Sequence, residues 1–316
     1  MPWSVADIPD QHGRVAVVTG ANGGLGLATT RALADAGATV VMAARNQDKA
    51  RDAQALVRAA NPEADLELVE LDLGSLASVA RAADEILTRH DHVDLLVNNA
   101  GLMAMPQGTT EDGFDTQFGV NHLGHWALTS HLLPAIVRTP GARVVTVTST
   151  AQHQGHPVDP DDPHMRDEYE PWEMYAQSKL ANRHFAEGLQ VQFAANGVEA
   201  RSLAAHPGLT NSDLQARTVR EGGSGSLGPF FLGLVQRVGM TSERGALSQL
   251  RAATDPEAPG GAMYGPLLGN NGPPVRKPLL RPGVGDAIRT LWDVSRRETG
   301  LDVDVRAALE PEPEPA

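Results

Sequence analysis

Six short apolar runs recur along the chain, at residues 14–19, 38–43, 66–71, 93–97, 143–148 and 200–204. Most are nearly continuous in Val, Leu or Ala, the pattern of strands buried on both faces. Between them, residues 25–36, 47–59, 75–89, 114–137 and 172–195 space their apolar positions at helical intervals. Strand alternating with helix implies right-handed crossovers. The pattern therefore predicts the α/β class: a doubly wound, mostly parallel sheet with helices on both faces.

The interruptions sharpen this picture. Asn61-Pro62 and Thr139-Pro140-Gly141 fall where the chain should turn back into a strand, so they read as connections within one domain spanning 1–309. Residues 221–228, EGGSGSLG, are flexible in composition and run into the apolar stretch 229–238. Residues 210–241 are expected either as a flap over the carboxyl edge of the sheet, with Phe230, Phe231, Leu232, Leu234 and Val235 facing inward, or as an ordinary surface helix. The Glu-Pro tail, 310–316, has nothing to bury and is expected to be disordered.

Composition mainly excludes. A formal charge of −13, without a compensating basic block, argues against a nucleic-acid partner. The chain has no cysteine, which removes disulfides, thiolate nucleophiles and Cys-based zinc sites and fits a reducing compartment. Residues 1–10 lack a basic region followed by an apolar run, and no segment has the apolar length of a bilayer span. A cytoplasmic location with no integral membrane segment is expected. Several histidines, His122 and His125 among them, lack the H-E-x-x-H arrangement, so no metal is expected. No G-x-S-x-G elbow surrounds Ser149, which argues against a hydrolase.

The first strand runs directly into Thr19-Gly20-Ala21-Asn22-Gly23-Gly24-Leu25-Gly26, after which an amphipathic helix begins. Glycines here allow a tight turn and let a phosphate approach amides at a helix N-terminus. The spacing is Gly-x-x-x-Gly-x-Gly, not the plain G-x-G-x-x-G, and close packing of helix on strand would also call for it. The second strand ends at Ala44 and Arg45, where NAD-binding folds place an acidic residue for the ribose 2′-hydroxyl. A guanidinium there would bind a 2′-phosphate, which favours NADP(H) over NAD(H). The alternative is that Arg45 is a solvated residue at a helix start, and Asp48 lies nearby.

Tyr175-Ala-Gln-Ser-Lys179 puts a phenol and an ammonium one helical turn apart. The positive charge would favour phenolate and bring the Tyr pKa towards a value useful for proton transfer. The fifth strand delivers Ser149 to the carboxyl edge of the sheet, where open α/β folds bind ligands. Asn121, an amide on an otherwise apolar helical face, needs a hydrogen-bonding role or a structural one.

Five motifs in order over 13–265 resemble the short-chain dehydrogenase/reductase family: Thr19-Gly20 to Gly26, Asp72-Leu73, Asn98-Asn99-Ala100-Gly101, Ser149 with Tyr175 and Lys179, and His206-Pro207-Gly208. The resemblance implies a Rossmann-type fold in which Asp72 and Leu73 lie against adenine and Asn99, Ala100 and Gly101 shape the cofactor floor. It implies Asn121, Ser149, Tyr175 and Lys179 as the catalytic four. In that set Tyr175 is acid or base, Ser149 orients the reacting oxygen, Lys179 also binds the nicotinamide ribose, and Asn121 holds a water leading from Lys179 to solvent. Pro207, Gly208 and either Thr210 or Ser212 would meet the cofactor. Residues 112–125 and Arg45-Asn46 look most like the retinol dehydrogenase and protochlorophyllide reductase branch, many of whose members use NADP and lipophilic carbonyls.

The expected substrate is thus a partly apolar carbonyl or alcohol, with the segment between Ser149 and Tyr175 forming one wall of its pocket. Self-association, by the same analogy, would run through helices 114–137 and 172–195. The competing reading is an NADP-binding regulator without redox turnover.

Overall fold

A computed structural model describes residues 2–210, 239–278 and 284–310. The expected flap beyond Thr210, with Ser212 and the apolar residues of 230–235, lies outside the described residues, as does all of the acidic tail after Glu310.

The alternation of elements is as the pattern predicts. In chain order come β1 (Val15–Thr19), α1 (Gly24–Asp35), β2 (Thr39–Ala44), α2 (Gln47–Ala60), β3 (Leu66–Glu70), α3 (Leu76–Arg89) and β4 (Leu95–Asn98). There follow α4 (Thr116–Phe118), a π-helical turn (Gly119–Leu123), α5 (Gly124–Arg138), β5 (Arg143–Val147), a 3₁₀ turn (Thr150–His153), α6 (Pro171–Ala195) and β6 (Arg201–Ala205). The last elements are α7 (Ser242–Thr254), β7 (Met263–Pro266), β8 (Pro274–Lys277), α8 (Val284–Thr299) and α9 (Val305–Leu309).

The strands form one eight-stranded sheet in the order β3-β2-β1-β4-β5-β6-β7-β8. Every pairing is parallel except β7 with β8. All residues of β1 and β5 are buried, which explains why both are mostly Val and Ala, with Thr19, Arg143 and Thr146 the polar exceptions. Alternate residues enter opposite layers: Val17 and Val41 pack with Phe118, Trp126 and Phe185, whereas Val18 and Val40 pack with Leu203 and Leu250. Strand order reverses between β1 and β4, so a crevice opens at their carboxyl ends.

Three features depart from the sequence pattern. The helix expected over 114–137 runs continuously over 116–138 but is not uniform: Asp115 caps its start by accepting from the amides of Gln117 and Phe118, both at 2.8 Å, and the next turn widens to a π-turn. Glycines flank that turn because neither has room for a side chain. A Cβ on Gly119 would lie 2.6 Å from the Thr110 methyl, and one on Gly124 would lie 2.4 Å from the Leu73 carbonyl oxygen.

Two further strands extend the sheet beyond β6. Each has four residues, and β8 starts on a proline at the edge, where a missing donor is tolerated, so neither carries a readable strand signature.

The third feature is one that the sequence pattern did not show: the chain's own C-terminal segment packs on α5 and α6. Trp292 of α8 stacks on Phe185 at 5.7 Å and meets Trp126 edge-on at 5.1 Å, over Gly188, where a Cβ would lie 2.4 Å from the indole. Trp126 Nε1 donates to the Leu301 carbonyl at 3.1 Å. No helix among the described residues is long and apolar enough to cross a membrane.

Candidate active site

Tyr175 and Lys179 lie one turn apart on α6, both buried, with Lys179 Nζ 5.9 Å from the centre of the phenol ring. The end of β5 is strapped to this helix. Thr148 Oγ1 donates to the Lys179 carbonyl at 2.6 Å, and Asn182 Nδ2 donates to the Val147 carbonyl at 3.0 Å. These bonds hold Ser149, the next residue, on the side of the crevice that Tyr175 faces.

Burial sets the electrostatics of the pair. It pushes the Tyr175 phenol above its usual value, with the Ser149 bond opposing, and pulls Lys179 down from 10.5 to about 8. This corrects the expectation that Lys179 depresses the Tyr175 pKa: with both groups dry, loss of solvation dominates and each favours its neutral form.

Asn121 sits on the π-turn, completely buried. Its Oδ1 accepts from the Leu102 amide at 2.7 Å, and its Nδ2 donates to the Leu102 carbonyl at 2.9 Å and to Ser178 Oγ at 2.9 Å. The side chain thus clamps the loop after β4. Gly101 fits beneath it: a Cβ there would lie 3.0 Å from Asn121 Oδ1 and 3.1 Å from Lys179 Nζ.

The glycine turn meets the same place from β1. Gly20 and Gly24 have φ of 66° and 50°. A Cβ on Gly26 would stand 2.1 Å from the Gly20 carbonyl oxygen, and one on Gly20 would stand 3.1 Å from Ala100 Cα. Asn22, Gly23 and Leu25 are half-buried on the turn, and α1 starts at Gly24 with no side chain capping it. Its first amides are left to bind an anion, so the residues present fit a nucleotide pyrophosphate.

Thr19 itself is fully buried: its hydroxyl accepts from the amides of Asn99 and Ala100, both at 2.9 Å, and contacts His125 Nε2 at 2.9 Å. Its hydroxyl is therefore spent inside the protein. Asn99 Nδ2 donates to the Thr19 carbonyl at 2.8 Å and its Oδ1 accepts from Gln249 at 3.1 Å.

Arg45, exposed at the end of β2, pairs with Asp72 at 3.6 Å, while Asp72 Oδ1 accepts from the Gly74 amide at 2.9 Å. Leu73 is buried against Gly124. After β6, the Pro207 carbonyl accepts from Thr210 Oγ1 at 3.4 Å, and Gly208, with φ of 74°, lies against the turn joining β7 to β8, where Leu209 N donates to the Asn270 carbonyl at 3.0 Å. Thr210 is buried beside Leu25, both touching the place a Gly245 Cβ would take.

The long segment after Ser149 folds across this region. Tyr169 Oη donates to the Met105 carbonyl at 2.9 Å, and half-exposed Trp172 stands edge-on to Tyr175 at 6.0 Å. A separate polar cavity of about 290 Å³, lined by Asp161, His164, Arg166, Arg297 and Glu298 among others, holds none of the sequence-predicted site residues. Sequence reasoning passed over Gln249, which gave no signal because α7 carried no motif. It also passed over His125 as a site residue, although its position one turn after Asn121 was a usable clue.

Residues 14–222 match the family model described as short chain dehydrogenase. Human retinol dehydrogenase 13 is 34% identical over 303 residues, covering 95% of this chain and 87% of its own. Mouse polyprenol dehydrogenase is 40% identical over 268 residues, covering 81% and 76%. Among solved structures, an uncharacterised protein from Mycobacterium paratuberculosis has a TM-score of 0.77 at 38% identity, over 96% of this chain and 99% of that one. A short chain dehydrogenase from Shigella flexneri, complexed with NADP, shares the fold at a TM-score of 0.60 and 20% identity, over 81% and 97%. The chain belongs to the short-chain dehydrogenase family, near the retinol dehydrogenase branch. It is accordingly an NAD(P)-dependent oxidoreductase acting on alcohol or carbonyl groups.

Proposed function

We propose that the protein interconverts a partly apolar carbonyl and its alcohol, using NADP(H) in preference to NAD(H), with Tyr175 as general acid and base. The observation that carries this reading is the buried Tyr175 and Lys179, one turn apart with Nζ 5.9 Å from the phenol ring, strapped to the end of β5 that bears Ser149, at the crevice that the glycine turn also borders. The nicotinamide cofactor, when bound, supplies or accepts the hydride. In reduction, Tyr175 Oη gives its proton to the carbonyl oxygen while Ser149 Oγ holds that oxygen in place. In oxidation Tyr175 takes the proton back. Lys179 would bind the nicotinamide ribose, and its charge, stabilised there, would then favour the phenolate.

Arg45 supports NADP, since the nearest carboxylate, Asp72, balances the guanidinium without replacing it at the end of β2. An apolar substrate is supported by Trp172 beside Tyr175 and by the names of the retinol and polyprenol dehydrogenase relatives. The test is oxidation of NADPH and of NADH, followed by nicotinamide absorbance, with long-chain and short charged carbonyls. Turnover with the apolar compounds and NADPH, abolished in Tyr175→Phe with NADPH binding retained, is expected. Full turnover in Tyr175→Phe, or activity confined to small charged acids, would overturn the proposal.

A further inference from the structure

His125 is buried in the layer between the glycine turn and the π-turn, and both of its ring nitrogens are engaged. Nδ1 lies 3.1 Å from the main-chain carbonyl oxygen of Asn121, and Nε2 lies 2.9 Å from Thr19 Oγ1. The chemistry of the partners fixes the tautomer. A carbonyl oxygen can only accept, so Nδ1 carries the proton and donates to Asn121. Thr19 Oγ1 already accepts from two amides, those of Asn99 and Ala100, so its own proton goes to the bare Nε2. Among the described residues, the alternative acceptor for that proton is the Val97 carbonyl at 3.4 Å, a longer contact. The opposite tautomer would load a third donor onto Thr19 Oγ1 and set the Nδ1 lone pair against the Asn121 oxygen.

We infer that His125 is a positioning residue: its neutral imidazole bridges the Thr19 hydroxyl and the Asn121 carbonyl, setting the distance between the glycine turn and the π-turn that carries Asn121. The inference rests on the reading of Asn121 and the glycine turn as parts of one active site. The π-turn gives the bridge its purpose. Widening a helix by one residue upsets the pairing of its carbonyls, and the imidazole supplies a donor to the one at Asn121. Through Thr19, the same ring touches the floor formed by Asn99 and Ala100. Burial, with a smaller contribution from the charge of Lys179 on α6 and against the bond to the Asn121 carbonyl, holds His125 down to about 4, so the bridge is neutral near pH 7.

The test has a spectroscopic and a kinetic arm. Imidazole nitrogen shifts of the wild-type protein should show His125 protonated at Nδ1, bare at Nε2 and constant from about pH 5 to about pH 8. His125→Phe should lower kcat about 10- to 100-fold with KM for the carbonyl little changed, since misplaced groups at a site cost rate more than binding. His125→Asn, which keeps a donor near the Nδ1 position and loses the acceptor, should fall between the two. Thermal unfolding of each variant is followed in parallel, because a purely structural histidine would lower the midpoint and leave kcat of the folded enzyme unchanged.

The inference fails if His125 takes the other tautomer or titrates in that window, or if His125→Phe retains wild-type kcat. It also fails if His125→Asn matches either extreme. Should the phenylalanine variant not fold, the nitrogen shifts and the asparagine variant still decide. Retained turnover in Tyr175→Phe would remove the general-acid reading without altering the shifts, so the two failures are distinguishable.

Discussion

Replacing Lys179 by Met tests the electrostatic account of the site directly. Burial draws the ammonium from its usual 10.5 to about 8, and at about 1.4 kcal/mol per pH unit the protein carries up to about 3 kcal/mol of desolvation cost at neutral pH. Methionine matches the length of the stem without the charge. The hydrogen bond lost is a long one, 3.4 Å to the Val147 carbonyl, and that oxygen keeps Asn182 as a donor at 3.0 Å. Lys179→Met should therefore be about 1 to 3 kcal/mol more stable than wild type at pH 7 without nucleotide, while losing turnover.

The sign of the pH dependence follows from the direction of the shift. Below about 8 the lysine is protonated in folded and unfolded chains alike, so the cost is fully present; between about 8 and 10.5 the folded chain sheds the proton first, and wild type gains stability as pH rises. Tyr175 works the other way only above its usual 10, where the unfolded chain loses a proton that the folded one keeps. Urea unfolding from about pH 6 to about pH 10 should show the variant's advantage shrinking above pH 8. A variant less stable than wild type at pH 7, or one with the same slope above pH 8, would refute the argument.

Arg45→Ala should weaken NADPH about 10- to 100-fold and leave NADH within a few-fold, checked by quenching titrations with both nucleotides. Gly26→Ala drives a methyl to 2.1 Å from the Gly20 carbonyl oxygen, so a loss of about 2 kcal/mol or more and of nucleotide binding is expected, measured by unfolding and the same titration. Trp292→Ala should cost about 3 kcal/mol in denaturant unfolding, because the indole covers Phe185 and Trp126, with nucleotide affinity in the folded fraction unchanged.

The central sheet was legible because β1, β2, β4 and β5 are almost entirely buried on both faces and so are rich in Val, Leu and Ala between their polar ends. β7 and β8 were not: four-residue edge elements are held by their neighbours, and Pro266 and Pro274 mask what periodicity they have. The π-turn was equally hidden, since the glycines at 119 and 124 answer to close packing by Thr110 and Leu73 and carry no periodic signal of a widened turn. At the site, motif spacing brought out Tyr175, Lys179 and Ser149. It misjudged the sign of the Tyr175 shift, because a nearby cation is visible in a sequence and the depth of burial is not. The hydroxyl of Thr19, counted with the cofactor turn, is directed to Asn99, Ala100 and His125.

The arm that closes over α6 has a consequence for biosynthesis. α8 and α9 leave the ribosome after the described strands of the sheet, yet the side of Trp126 and Phe185 that meets Trp292 lacks that partner until α8 arrives. A nascent chain with its sheet already made would still present aromatic surface, a natural target for chaperones, until residues 284–310 emerge. Ribosome-bound chains halted before residue 284 should thus stay chaperone-associated, and those halted once residue 310 has cleared the exit tunnel should be released.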